Sequence, residues 1–175
     1  LKAVDGSVLF LYAGNQWAES NLKKEAESRG VDGSRLVFGG HMPNDEYLSR
    51  YQVCNLFLDT FPYNAGTTAS DALWTGLPVL TMMGESFASR MAASLLNAID
   101  LPELITSTQE EYEALAIELA TNPQKLAEIK SRLAGNRMTT PLFDTPLFTK
   151  KLEAAYSQMY ERYQADLPID HISVY

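Results

Sequence analysis

Gly66, Thr67, Thr68 and Asp71 are the residues whose types and spacing could do chemistry together. They follow an apolar run, Leu56 to Leu58, closed by Asp59, and a loop that holds Pro62, Asn64 and Gly66. A helix opening at Thr67 leaves its first N–H groups without carbonyl partners and turns the positive end of its dipole toward that loop, a combination that favours a phosphate. Gly66 lets the backbone come close, and two adjacent hydroxyls add donors. Asp71 returns to the same face one turn further on. An acid there faces away from the phosphate, at the reach of a sugar hydroxyl, so the layout suits a nucleoside diphosphate. Plainer readings exist: threonines before an apolar helix often cap it, and an acid in the first turn often only offsets the dipole.

The elements that must position these residues alternate between strand and helix. Ser7 to Tyr12 reads as a strand buried on both faces, and a helix from about Trp17 to Arg29 ends at Gly30. Arg35 to Phe38 is the second strand. Pro43 opens an acidic first turn, after which Tyr47, Leu48, Tyr51 and Cys54 share a face. The third strand is Leu56 to Leu58, the third helix Thr67 to Thr75, and the fourth strand Val79 to Met82. A helix from about Phe87 to Ala98, with Ser86 as its N-cap, leads to a short strand, Leu104 to Thr106. Helices then run over Gln109 to Ala120, Pro123 to Leu133 and Pro146 to Tyr163. Such alternation implies right-handed βαβ crossovers and a doubly wound, mostly parallel, Rossmann-like α/β sheet with extra C-terminal helices. Its ligand sits beyond the carboxyl ends of the strands. Residues 1–140 form the expected lobe. Residues 141–175 form a linker and a helix packing back on it, with a loose tail after Asp166. Leu73, Trp74 and Leu77 are read as core.

Composition narrows the partners. The chain of 175 residues is 46% hydrophobic and 21% charged, as a soluble globular domain is. A formal charge of -8 argues against nucleic acid or an anionic membrane as the main partner, while leaving room for a small anion held by backbone donors. Cys54 is the single cysteine, which fits a reducing, cytoplasmic compartment; His41 and His171 stand too far apart to suggest a metal site. No run approaches the roughly 18 apolar residues of a membrane span. A first residue other than Met suggests a piece of something longer.

Taken together, Leu58-Asp59-Thr60, then Asn64 with Thr67-Thr68 and Asp71, then Leu73-Trp74, Gly76 and Pro78, and finally Gly84-Glu85 and Ala88-Ser89-Arg90 resemble the C-terminal catalytic lobe of the O-linked N-acetylglucosamine transferases, including their bacterial homologues with tetratricopeptide repeats. Pro141-Leu142-Phe143 and the terminal helix are similar as well, so the resemblance runs from about Ser7 to Tyr163. It implies a GT-B fold, with a UDP-sugar donor, most simply UDP-N-acetylglucosamine, bound mainly by this lobe without a metal or other cofactor. It further implies a protein acceptor, an N-terminal lobe and repeats elsewhere in the parent chain. Matched residue by residue, Thr67 and Thr68 would hold the pyrophosphate, Asp71 the ribose hydroxyls and Arg50 a place beside the nucleobase. The loop His41-Met42-Pro43 would read the uracil edge.

Three positions depart from the pattern. Gly66 stands where animal members have a histidine beside the diphosphate, Asn44 where they have a lysine near the ribose, and Tyr47 where they have a histidine near the base. Tyr47 can replace an imidazole as a stacking surface; Gly66 and Asn44 cannot replace a charge. Two other readings therefore stay open: a UDP-glucose-dependent protein glucosyltransferase, and a catalytically degenerate lobe that serves as an interaction module. No general base can be named. Glu85 and Arg90 are read as an ordinary ion pair.

Overall fold

The computed structural model describes residues 1–174. Five strands, β1 (Leu9–Tyr12), β2 (Leu36–Gly39), β3 (Phe57–Leu58), β4 (Val79–Met82) and β5 (Ile105–Thr106), alternate with α1 (Gln16–Ser28), α2 (Asn44–Arg50), α3 (Thr67–Thr75) and α4 (Met91–Ala98). Three more helices follow: α5 (Gln109–Thr121), α6 (Pro123–Asn136) and α7 (Thr145–Gln164). The helix ends carry local reasons. Asn15 caps α1 by accepting from Ala18 N at 2.8 Å, Thr108 and Glu111 close a capping box on α5, and Pro123 opens α6 where its missing N–H costs nothing. Gly76 ends α3 at φ 89°, a left-handed position suited to glycine, and Leu77 N donates back to Ala72 O at 2.8 Å.

Every strand pairing is parallel, as the βαβ pattern requires, but the strands fall into two sheets where the sequence suggests one. β1 pairs with β2, and β3 and β5 flank β4. In a doubly wound sheet of order 3-2-1-4-5-6 these correspond to strands 3-2 and 4-5-6. β1 and β3 each keep one edge unpaired among the described residues. β1 is not buried on both faces as its apolar run suggests: burial alternates along it, and Phe10 and Tyr12, with Val8 just before the strand, remain exposed on one face.

The core lies under the second sheet. Leu73, Val79, Leu96, Ile99, Leu101, Leu104, Leu119 and Leu133 are fully or almost fully buried in one cluster. Truncating any of these leucines to alanine costs about 2–5 kcal/mol, because the surroundings collapse only in part. Leu77 joins this cluster; Trp74 does not. It is 46% exposed, with its ring edge-on to Phe143 at 5.1 Å and Arg137 over its face at 5.7 Å. Leu142 and Phe143 pack against the core, whereas no residue of α7 is buried, and its Phe148, Tyr156, Met159, Tyr160 and Tyr163 are exposed.

α4 starts at Met91 and not near Phe87, where the sequence suggests. Ser86 caps a turn instead of that helix: its Oγ accepts from Ser89 N at 3.2 Å. Gly84 N donates to Ser89 O at 2.9 Å, closing the loop. No ion pair joins Glu85 to Arg90 among the described residues.

Candidate functional site

The loop between β3 and α3 is built around Asp59, a buried acid with no basic partner among the described residues. Its Oδ1 accepts from Thr60 N at 2.8 Å and from Ala65 N at 2.7 Å, and its Oδ2 from Thr81 Oγ1 at 2.7 Å. Burial pushes this carboxyl above its usual range, against the pull of the three donors. Asn64, 1% exposed, donates to Thr60 O at 2.8 Å, and its backbone N–H donates to Ala88 O at 3.0 Å. The two loops beyond β3 and β4 are thereby tied together.

This scaffold aims the first turn of α3 outward. Gly66 is its N-cap and no side chain caps it. The first helical bond is Ser70 N to Gly66 O at 3.0 Å, so the N–H groups of Thr67 and Thr68 find no acceptor in the protein among the described residues. Both threonines are exposed and Gly66 is half-buried. A Cβ on Gly66 would meet only the end of the Met91 side chain, at 3.5 Å. Backbone and hydroxyl donors are therefore free for an anion, with no carboxylate in the first turn to repel it.

Asp71, half-buried one turn on, meets α2. Tyr47 Oη lies 3.4 Å from Asp71 Oδ2 and 2.5 Å from Tyr51 Oη. Arg50 stacks between two rings, its guanidinium 5.3 Å from Phe10 and 5.4 Å from Tyr47, and donates weakly to Gly40 O at 3.5 Å. Gly39 permits this approach: a Cβ there would fall 2.5 Å from Arg50 Nη1 and 2.8 Å from Phe10. Arg50 thus holds the end of β2 to α2, next to the loop that carries His41.

Gly66, Thr67, Thr68, Asp71, Tyr47 and Arg50 are therefore brought to the carboxyl ends of β2 and β3. His41, in the loop after β2, and Asn44, the first residue of α2, are exposed and form no side-chain hydrogen bond among the described residues. Two residues play larger parts than their sequence positions suggest. Asp59 reads as a strand terminus and is the organiser of the loop; Tyr51 reads as one more residue of a helix face and touches the network on Asp71. A cavity of about 320 Å³ is lined by Asp59, Phe61, Met82, Gln109, Tyr112 and Glu113 and includes none of the candidate donors.

Parallel strands joined by helical crossovers, with the candidate residues on loops past the strands' carboxyl ends, make this a Rossmann-like lobe of the GT-B kind. A mutant of the O-GlcNAc transferase of Thermobaculum terrenum has the same architecture: the two superpose with a TM-score of 0.83 at 36% identity, over 87% of this chain and 30% of that one. The chain belongs to glycosyl transferase family 41, whose model matches residues 1–152. It is 38% identical over 173 residues to the UDP-N-acetylglucosamine--peptide N-acetylglucosaminyltransferase of Caenorhabditis elegans. It is 34% identical over 175 residues to the probable enzyme of that name, SEC, of Arabidopsis thaliana. Each match covers 99% of this chain but only 15% and 18% of those relatives.

Proposed function

We propose that this chain is the donor-binding part of a metal-independent glycosyltransferase that moves N-acetylglucosamine from UDP to serine or threonine hydroxyls of proteins. The observation that carries the reading is the open start of α3, where the N–H groups and hydroxyls of Thr67 and Thr68 face outward beside Asp71. The names of the relatives support the donor and the acceptor class.

Breaking the anomeric bond leaves negative charge on the departing diphosphate. Donors already fixed by a helix stabilise that charge without reorganising as it develops. Thr67, Thr68 and the α3 dipole supply them, while Asp71 takes the ribose hydroxyls and Tyr47 and Arg50 flank the base, with His41 and Asn44 at the rim. Holding the nucleoside in this way orients the anomeric carbon toward the acceptor. The acceptor side belongs largely to an N-terminal lobe of the parent chain, with tetratricopeptide repeats beyond it, acting in a reducing, cytoplasmic compartment. No described helix is long and apolar enough to cross a membrane.

Calorimetry with uridine, guanosine and adenosine diphosphates tests the reading. UDP binds at least about tenfold tighter than the other two, a difference of roughly 1.4 kcal/mol. Equal binding of all three, or binding of none, overturns it. Asp71→Ala weakens UDP more than inorganic pyrophosphate.

A further inference from the structure

Tyr51 belongs to the turn that follows α2, four residues after Tyr47, and its ring is held on two sides. It stands edge-on to Tyr47, with centroids 5.3 Å apart at 73°, and tilted against Phe57 at 6.3 Å. The ring fixes where its hydroxyl points. That hydroxyl lies 2.5 Å from Tyr47 Oη and 3.4 Å from Thr68 O in the first turn of α3. Tyr47 Oη in turn lies 3.4 Å from Asp71 Oδ2.

Two hydroxyl protons face three possible acceptors, so only two of the three contacts are filled at once. The ionised carboxylate is the strongest acceptor and draws the Tyr47 proton. The Tyr51 proton then lies between the two hydroxyls. The result is a chain of donors running Tyr51 to Tyr47 to Asp71, in which each bond polarises the next. It ends on Oδ2, and Asp71 Oδ1 accepts no hydrogen bond among the described residues.

We infer that Tyr51 is a positioning residue for ribose recognition: through Tyr47 it fixes the Asp71 carboxylate so that Oδ1 is presented to a sugar hydroxyl of the nucleotide. The inference rests on the reading of Asp71 as the acid that binds the ribose.

The test compares wild type with Tyr51→Phe, which keeps the ring on Phe57 and removes only the hydroxyl. Affinities are measured by calorimetry for UDP, 2′,3′-dideoxy-UDP and inorganic pyrophosphate. Tyr51→Phe lowers UDP affinity about three- to tenfold, the worth of one hydrogen bond, and leaves the other two ligands unchanged. Loss of affinity for all three ligands alike, or an unchanged ratio of UDP to the dideoxy form, overturns the inference while the Asp71 reading stands. A wild type that binds UDP and the dideoxy form equally overturns the Asp71 reading itself. Should Tyr51→Phe fail to fold, Tyr47→Phe breaks the same chain one step later and must show the same selective loss.

Discussion

Removing the Asp59 carboxylate tests whether the loop in front of α3 is held as described. In Asp59→Ala, three donors lose their acceptor: Thr60 N, Ala65 N and Thr81 Oγ1. Thr60 is exposed and water replaces its partner, whereas Thr81 is 0% exposed and Ala65 half-buried. Two stranded donors at about 1–3 kcal/mol each, less the relief of a buried charge, give a net loss of about 3 kcal/mol. For a chain of this size that lowers the melting temperature by about 6–12 °C and the urea midpoint by about 1.5 M. Asp59→Asn retains one oxygen for both amides and turns an NH2 toward Thr81, which takes away the acceptor of the Thr81 hydroxyl proton, so it costs about 1 kcal/mol. The pH dependence has a definite sign. A carboxyl whose folded pKa is raised binds its proton more tightly in the folded state, so its contribution is full below the ordinary range near 4 and declines as pH rises through the folded value. The Asn penalty relative to wild type is therefore larger in acid than at neutral pH. Urea unfolding of the three proteins at two pH values measures this. An alanine variant within about 0.5 kcal/mol of wild type, or an asparagine variant that costs as much as alanine, refutes the argument.

Two further outcomes follow from local geometry. Gly84→Ala puts a Cβ 2.6 Å from Ser89 Oγ and 2.9 Å from its Cβ, in a loop that cannot give way freely, and lowers stability by about 1–3 kcal/mol; adding Ser89→Gly recovers part of the loss in a double-mutant cycle, and strict additivity of the two changes contradicts the contact. Burial raises the Cys54 thiol above its ordinary value, against the weaker pull of Arg50 and Lys130, so the thiol stays neutral at pH 8. Its alkylation by iodoacetamide is slower than that of a free cysteine and still climbs above pH 9; a plateau below pH 8.5 contradicts the burial.

The elements most legible in the sequence were those with signals at both ends. α3 and β4 begin and end where the sequence puts them, because Gly76-Leu77-Pro78 stops one and starts the other. α4 was harder: a serine before an apolar run reads as an N-cap, and only the backbone shows that Ser86 closes a turn with Ser89 first. Leu73 and Trp74 are consecutive and so about 100° apart on a helix. The buried face of α3 runs through Ala69, Ala72 and Leu73, and Trp74 falls outside it. Ser7 to Tyr12 reads as a doubly buried strand, yet burial depends on neighbours that an apolar run cannot specify. At the candidate site, Gly66, Thr67, Thr68 and Asp71 were singled out by the physics of helix starts. Asp59 and Tyr51 were missed, although each left a trace. An acid ending an apolar strand with no base nearby must take backbone donors, and Tyr47 and Tyr51 are four apart on one helical face.

The first N–H groups of α3 must receive the diphosphate if this lobe binds a sugar nucleotide. Proton–nitrogen correlation spectra recorded during titration with UDP, and again with inorganic pyrophosphate, follow those amides one by one. The largest shifts fall on Thr67 and Thr68 with both ligands, and shifts at Tyr47, Arg50 and Asp71 come with UDP alone. Saturable binding that leaves Thr67 and Thr68 unmoved contradicts it.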